Sequence, residues 1–231
     1  MKIDWTKITP RHKFLAAMQI LHDCQKCGKC CVDMSGIAFN SADAVRMAKE
    51  LDIRRNDFVK DYTIASKNKP TDRWLNTKGP NHACVFWSEA GCTRYLGRGQ
   101  VCRLYPWTTP QQTEYVLKNR GWILYDKCLG MSLTYEKVLL GAMTIPMPAA
   151  KAILESNLGD ICYLNYIEDC STREAAEFAA KELGLESKPT RDRLYNIAWN
   201  YAIATVAMLP LETREAELTM ARRDIQKHTV T

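Results

Sequence analysis

Eight of the ten cysteines fall into one pattern: Cys24-x2-Cys27-x2-Cys30-Cys31, then Cys84-x7-Cys92-x9-Cys102, then Cys128. Four thiols within eight residues are denser than core packing requires. A deprotonated thiol is a strong ligand, and clustered thiolates repel one another unless a cation lies between them. The pattern therefore predicts a thiolate-held metal site built from all eight. An all-thiolate set suits an iron–sulfur cluster, of which 4Fe–4S is one form, and it also suits structural zinc. Adjacent residues such as Cys30 and Cys31 are expected to point apart. That expectation favours two centres or a polynuclear cluster over a single ion, and places iron–sulfur ahead of zinc.

The rest of the chain must position these thiols. Its 231 residues are enough for a hydrophobic core without disulfide staples. The opening MKIDWTKITPRHK is polar and has no apolar signal segment, so the thiols are read as reduced and the chain as cytoplasmic. No apolar run approaches a membrane span, and no transmembrane segment is expected. The net charge of +6 is spread among many acids with no basic stripe, which argues against nucleic acid as a partner. Lys26 and Lys29 lie between the thiols and either offset the anionic cluster or are merely solvated.

The expected fold is mainly α with a small irregular β-hairpin. A metal-stabilised cysteine-rich region, residues 1–131, is followed by a helical region, residues 132–231, packed against it as one compact unit. Thr9-Pro10 starts a first helix whose Phe14, Met18 and Leu21 recur at helical spacing. Asn40 or Ser41 caps a second helix to about Leu51, with Ala44, Val45, Ala48 and Leu51 on one face. A short helical piece covers Asn56 to Tyr62. Ser66 to Asn81 reads as a loop, Val85-Phe86-Trp87 as a strand, and Thr113 to Leu117 with Trp122 to Tyr125 as a hairpin. Helices are predicted over Leu133–Met143 and Ala149–Ser156, then from the capping box Ser171-x-x-Glu174 to Gly184. Arg191 to Leu209 is apolar on most sides and is expected to be a central buried helix. Leu211, Leu218 and Ile225 recur every seven residues on a last helix that packs back on the domain.

The segments around the cysteines resemble the CxxCxxCC cysteine-cluster family of zinc- or iron-chelating domains. The likeness rests on Cys24-Gln-Lys-Cys27-Gly-Lys-Cys30-Cys31, Cys84-Val-Phe86, Gly91-Cys92-Thr-Arg-Tyr95, Cys102-Arg103-Leu-Tyr105-Pro106-Trp107 and Cys128-Leu-Gly130. It spans about residues 20 to 131. Two turns depart from the family: Arg98-Gly99 stands where Arg-Pro is usual, and Leu129 replaces a proline. Neither removes a ligand. The resemblance implies metal or iron–sulfur binding without fixing the metal. Because the family includes a flagellin lysine methylase, it also admits a protein-modifying enzyme.

Other candidates carry less. His82, two residues before Cys84, reads as a loop histidine, and His22 as a hydrogen-bonding neighbour of the site. Cys162 and Cys170 read as buried free thiols. Arg103 could donate to a cluster sulfur, with Tyr105, Pro106 and Trp107 packed over it as a dry shell. Three functions follow: an iron–sulfur protein in electron transfer or in a redox complex with a protein partner, a zinc-stapled interaction module, or a methylase-like enzyme.

Overall fold

The computed structural model describes residues 5–32, 37–65, 73–105, 128–170, 180–181, 183–184 and 189–229, with backbone alone at 104, 167–170 and 229. In chain order the helices are α1 (Pro10–Leu21), α2 (Ser41–Leu51), α3 (Arg55–Tyr62), α4 (Gln100–Leu104), α5 (Leu129–Ala142), α6 (Met147–Glu155), α7 (Leu158–Cys170), α8 (Arg191–Ala207) and α9 (Leu211–Thr229). The strands are β1 (Ala38–Phe39), β2 (Thr63–Ala65), β3 (Arg73–Leu75), β4 (Thr77–Lys78), β5 (Ala83–Cys84), β6 (Trp87–Ser88) and β7 (Gly91–Cys92). The protein is mainly α with small antiparallel sheets. It divides into two compact units, residues 1–24 with 123–231, and residues 25–122.

The helical unit is assembled around α8, which packs on α1, α5, α6 and α7. The sequence explains why. From Ile197 to Ala207 the helix carries Ala198, Ala202, Ala204 and Ala207, and these small side chains let neighbouring helices approach closely. The first turns of α8, from Arg191 to Asn196, are not buried, so only its later part is the central helix the composition predicts. Phe14 and Met18 from α1, Val138 and Leu139 from α5, and Cys162 from α7 fill the same core. Each fully buried apolar side chain of this size contributes roughly 1.5–3 kcal/mol. Thr9 caps α1: its hydroxyl accepts from the His12 N–H at 3.3 Å, and the His12 ring accepts from the Thr9 N–H at 3.1 Å. Helix α7 had no sequence signal of its own; Lys13 on α1 pairs with its Asp160 at 2.8 Å.

Helix α9 packs on α5. Its buried positions are Glu217 and Ala221, whereas Leu211 of the expected seven-residue stripe is exposed. Arg214 donates to the Ala142 carbonyl at 2.6 Å and Arg222 pairs with Glu136 at 2.8 Å, so polar groups fix this helix as much as apolar ones. Among the described residues no single helix is long and apolar enough to cross a membrane.

The second unit has a smaller core: Ile37, Phe39, Ala44, Met47, Ala48, Phe58, Leu75, Cys84 and Phe86. Val45, expected on the buried face of α2, is exposed, and Met47 takes the buried position. Phe39, Phe58, Tyr62 and Phe86 stack in a column with ring centroids 5.8, 5.6 and 5.3 Å apart. Strands order β1-β3-β2, with Trp74 opposite both Ala38 and Ile64. Part of the expected 66–81 loop is therefore the central strand of a sheet. The expected strand at 85–87 is displaced: β5 ends at Cys84 and β6 begins at Trp87, with Val85 and Phe86 in the turn between. Aromatic and β-branched content marked burial there, not extension. The expected 113–125 hairpin, the capping box at Ser171 with most of the helix it opens, Pro106 and Trp107 lie outside the described residues.

Candidate metal centre

Local backbone first makes the cysteine turn possible. Residues 28–32 fold into a tight turn in which Gly28 O accepts from the N–H of Cys31 at 2.7 Å and of Val32 at 2.9 Å. Gly28 has φ +75, and a Cβ there would meet the Trp87 indole nitrogen at 2.3 Å. Because the turn is helical in character, adjacent side chains need not oppose one another as they would in a strand. The Sγ atoms of Cys30 and Cys31 lie 3.8 Å apart. This corrects the expectation that adjacent thiols point apart.

The turn is then stitched to the rest of the unit. The Cys84 N–H donates to the Cys31 carbonyl at 2.7 Å, which sets the end of β5 beside the turn. The β6–β7 hairpin places Cys92 opposite Trp87, and Thr93 N–H donates to the Phe86 carbonyl at 2.8 Å. Cys102 arrives on α4, whose start is held by a buried acid. Asp43, 1% exposed, accepts from the Gln100 N–H at 2.8 Å and from the Asn40 N–H at 3.3 Å, and pairs with Arg46 at 3.2 Å. Asn40 or Ser41 is the cap the sequence predicts for α2; the reach of Asp43 to Gln100, 57 residues away, had no local signal.

Cys31, Cys92 and Cys102 pack against the core that contains Cys84. Cys30 completes a group of five thiols that act on one another electrostatically. Its bond with Cys30, then burial, then the negative charge of its neighbours raise the Cys31 thiol strongly. Cys30, as the acceptor of that pair, is lowered to about 7, helped by Arg98 and opposed by burial. Burial pushes Cys102 up to about 12, with Cys84 and Cys30 adding to it, although the residue keeps some surface. Cys84 is also raised, chiefly by burial. These five thiols cannot all ionise together without a cation among them.

Cations that face them come from places the sequence did not suggest. Arg98 lies over the Tyr95 ring, 3.5 Å from its centroid, and donates to the Tyr95 carbonyl at 3.0 Å. It lowers both Cys30 and Cys102. Lys78 lowers Cys84 while its ammonium donates to the Trp87 carbonyl at 2.7 Å. The stem of Lys26 instead packs against Gly91.

Cys27 is exposed and His82 sits in a left-handed turn at φ +46. Cys24 and Cys128 belong to the helical unit. There the buried Cys128 sulfur is 3.3 Å from Nε2 of His22, a contact spanning 106 residues of sequence. Gly130 makes that approach possible, since a Cβ would meet the Asp23 carbonyl oxygen at 2.1 Å. All nine cysteines among the described residues that carry side chains are free thiols. Among the described residues no three His, Cys, Asp or Glu side chains are set as ligands of a single ion. The five thiols converge without closing into one coordination shell.

The residues nonetheless fit a thiolate-bound metal. The donors are uniformly soft, and the buried Trp87 indole N–H has no hydrogen-bond partner among the described residues. It lies against Gly28 of the cysteine turn, where a sulfur acceptor would satisfy it.

Residues 23–121 match the family model CxxCxxCC, described as "Putative zinc- or iron-chelating domain". This segment of the chain is similar to the CxxCxxCC family. The match begins just before Cys24 and stops short of Cys128, so the latter is joined to the CxxCxxCC pattern only by the likeness of its own motif. No curated protein and no solved structure matches the chain. Metal chelation is thereby assigned to the CxxCxxCC segment, with zinc and iron both within the description.

Proposed function

We propose that the CxxCxxCC segment holds an iron–sulfur cluster and that the protein acts in electron transfer, or as an accessory subunit of a redox complex with a protein partner. The observation that supports this reading is the convergence of Cys30, Cys31, Cys84, Cys92 and Cys102 with no imidazole or carboxylate among them. One tetrahedral ion and one cluster each take four thiolates, so five converging thiols support more than one centre, and their all-sulfur character suits iron–sulfur. Cys24, Cys27 and Cys128 extend the ligand set to eight. When bound, the cluster supplies one-electron chemistry. Arg98 and Lys78 offset the thiolate charge, the Trp87 N–H donates to a sulfur, and the Tyr62–Phe86 stack keeps water from one side.

A structural zinc module is the second reading, and one distance favours it. Two thiolates about 2.3 Å from one zinc ion at the tetrahedral angle stand roughly 3.8 Å apart. Cys30 and Cys31 have that separation.

Anaerobic purification with iron, sulfide and zinc analysis tests the choice. The cluster predicts brown protein whose broad absorbance bleaches on reduction, and Cys30→Ala or Cys102→Ala should lower iron and sulfide together. Colourless protein with stoichiometric zinc and no sulfide rejects the cluster. On either reading, metal removal should expose residues 25–122 to protease before the helices of the other unit, because binding energy here is folding energy.

A further inference from the structure

Behind the thiol cluster, the same unit contains a cavity of about 480 Å³ that metal binding leaves unused. It lies among β1, β3, α3 and the first residues of α2 and α4. Its charged lining is Asp43, Arg55 and Arg73. Asp43 is spoken for, since its carboxylate accepts from two backbone N–H groups and pairs with Arg46. The two arginines differ. Arg55 donates to the Ser41 hydroxyl at 3.2 Å and to Asn56 at 3.4 Å, both neutral. The nearby Asp57 is taken by Arg54 at 2.8 Å. Among the described residues, neither Arg55 nor Arg73 has an acidic partner. The start of α2 adds no anion site, because Asn40 and Asp43 already cap it.

The remaining walls mix apolar residues with Asn40, Ser41, Thr63 and Gln100. Phe39 is buried at the base and shares its sheet face with Arg73, its partner across β1 and β3, whereas the Trp74 side chain belongs to the other face. Beside them Asn40 donates to Gln100 at 3.3 Å. We propose that this cavity binds a small organic anion, its phosphate or carboxylate held by Arg55 and Arg73 and its planar body lying against Phe39. Guanidinium groups match both oxyanions through paired hydrogen bonds, and aromatic faces recognise flat bodies. The volume is that of a small-molecule site and is larger than a bare inorganic ion needs. Two unopposed guanidinium groups exclude a cation. The proposal does not depend on which metal the thiols hold.

The test uses the full-length protein and calorimetric titration with three probes: adenosine 5′-monophosphate, 2-naphthoate and uncharged adenosine. At least one anionic probe should bind, with adenosine roughly tenfold weaker or more and with binding that weakens as salt rises. Binding of the monophosphate alone identifies an organic phosphate, and binding of naphthoate alone an organic carboxylate. Arg55→Gln and Arg73→Gln should each weaken the bound anion by roughly tenfold or more. Phenylglyoxal labelling of unmodified protein gives a readout that needs no variant: the bound probe should protect Arg55 and Arg73 but not Arg54. Failure of both anions to bind, adenosine binding as tightly as they do, or labelling of Arg55 and Arg73 unchanged by the bound probe overturns the proposal.

Discussion

Asp43→Ala should unmoor α4 and with it Cys102. The carboxylate is 1% exposed and is shared by three donors. Its bond to the Gln100 N–H, at 2.8 Å, is charge-assisted and contributes about 1.5–3 kcal/mol. Its half of the reciprocal cap on α2 adds about 1 kcal/mol. The Arg46 pair adds little, because that side chain is 38% exposed and can be rehydrated. The total is about 2.5–4 kcal/mol, close to the cost of breaking a buried charged contact from one side. Asp43→Asn keeps an acceptor and should lose about half as much. Arg46→Ala serves as control and should lose no more than about 1 kcal/mol.

The assay is urea unfolding followed by tryptophan fluorescence, with metal content measured on the same preparations. Asp43→Ala should lose metal as well as stability, because α4 carries Cys102 and begins at the Gln100 N–H. A variant within about 0.5 kcal/mol of the parent and fully metallated would show that α4 does not depend on this acid.

Gly28→Ala should cost about 2–4 kcal/mol, since its Cβ would enter the Trp87 ring at φ +75, whereas Gly79→Ala, with nothing within 4 Å, should cost about 1 kcal/mol for φ +69 alone. Equal urea midpoints for the two would remove the steric argument. Burial raises the Glu217 carboxyl, opposed by the Tyr135 hydroxyl close to it. Its contribution to stability is thus complete below the ordinary glutamate range and is lost as pH rises through the raised value. Glu217→Gln should therefore match the parent near about pH 4 and gain on it near about pH 7.5; a constant difference across that window contradicts this. Cys162 is fully buried in α7, with its thiol pushed up to about 12 by burial, so Cys162→Ala with Cys170→Ser should destabilise by about 1 kcal/mol or more yet keep the parent's metal content.

What the sequence revealed depended on how local the cause was. Thr9 and Asn40 announced the starts of α1 and α2 because a cap acts over three residues. The mainly α class was equally legible from helical spacing. Strand β3 was hidden, since three residues flanked by polar ones carry no period, and its role is set by partners at Ala38 and Ile64. The cysteine count pointed to a thiol cluster, but not to which cations face it. Arg98 and Lys78 reach the thiols through tertiary folding, while Lys26, adjacent in sequence, packs elsewhere. His22 reads in sequence as a hydrogen-bonding neighbour of the site, but nothing local marks its partner Cys128, 106 positions away.

The two metal readings differ in how many of the five gathered thiols they need, and that difference can be measured. If Cys30 and Cys31 form one edge of a zinc tetrahedron, as their 3.8 Å separation allows, two more of Cys84, Cys92 and Cys102 close it. The fifth thiol is then surplus, and one of the five Cys→Ala variants should retain a full metal equivalent. Two four-thiolate clusters that together use all eight thiols, Cys24, Cys27 and Cys128 included, have no surplus, and each of the five substitutions should lower iron and sulfide in step. Folding must be controlled, because Cys84 is also a core residue whose backbone N–H ties β5 to the cysteine turn. Serine at that position preserves shape better than alanine. A series in which one of the five is dispensable and the others abolish binding would reject the two-cluster, eight-thiol site and leave one four-thiolate centre, whose sulfide content then separates a cluster from a single ion. A series with no dispensable member would reject the single tetrahedral ion whatever its identity.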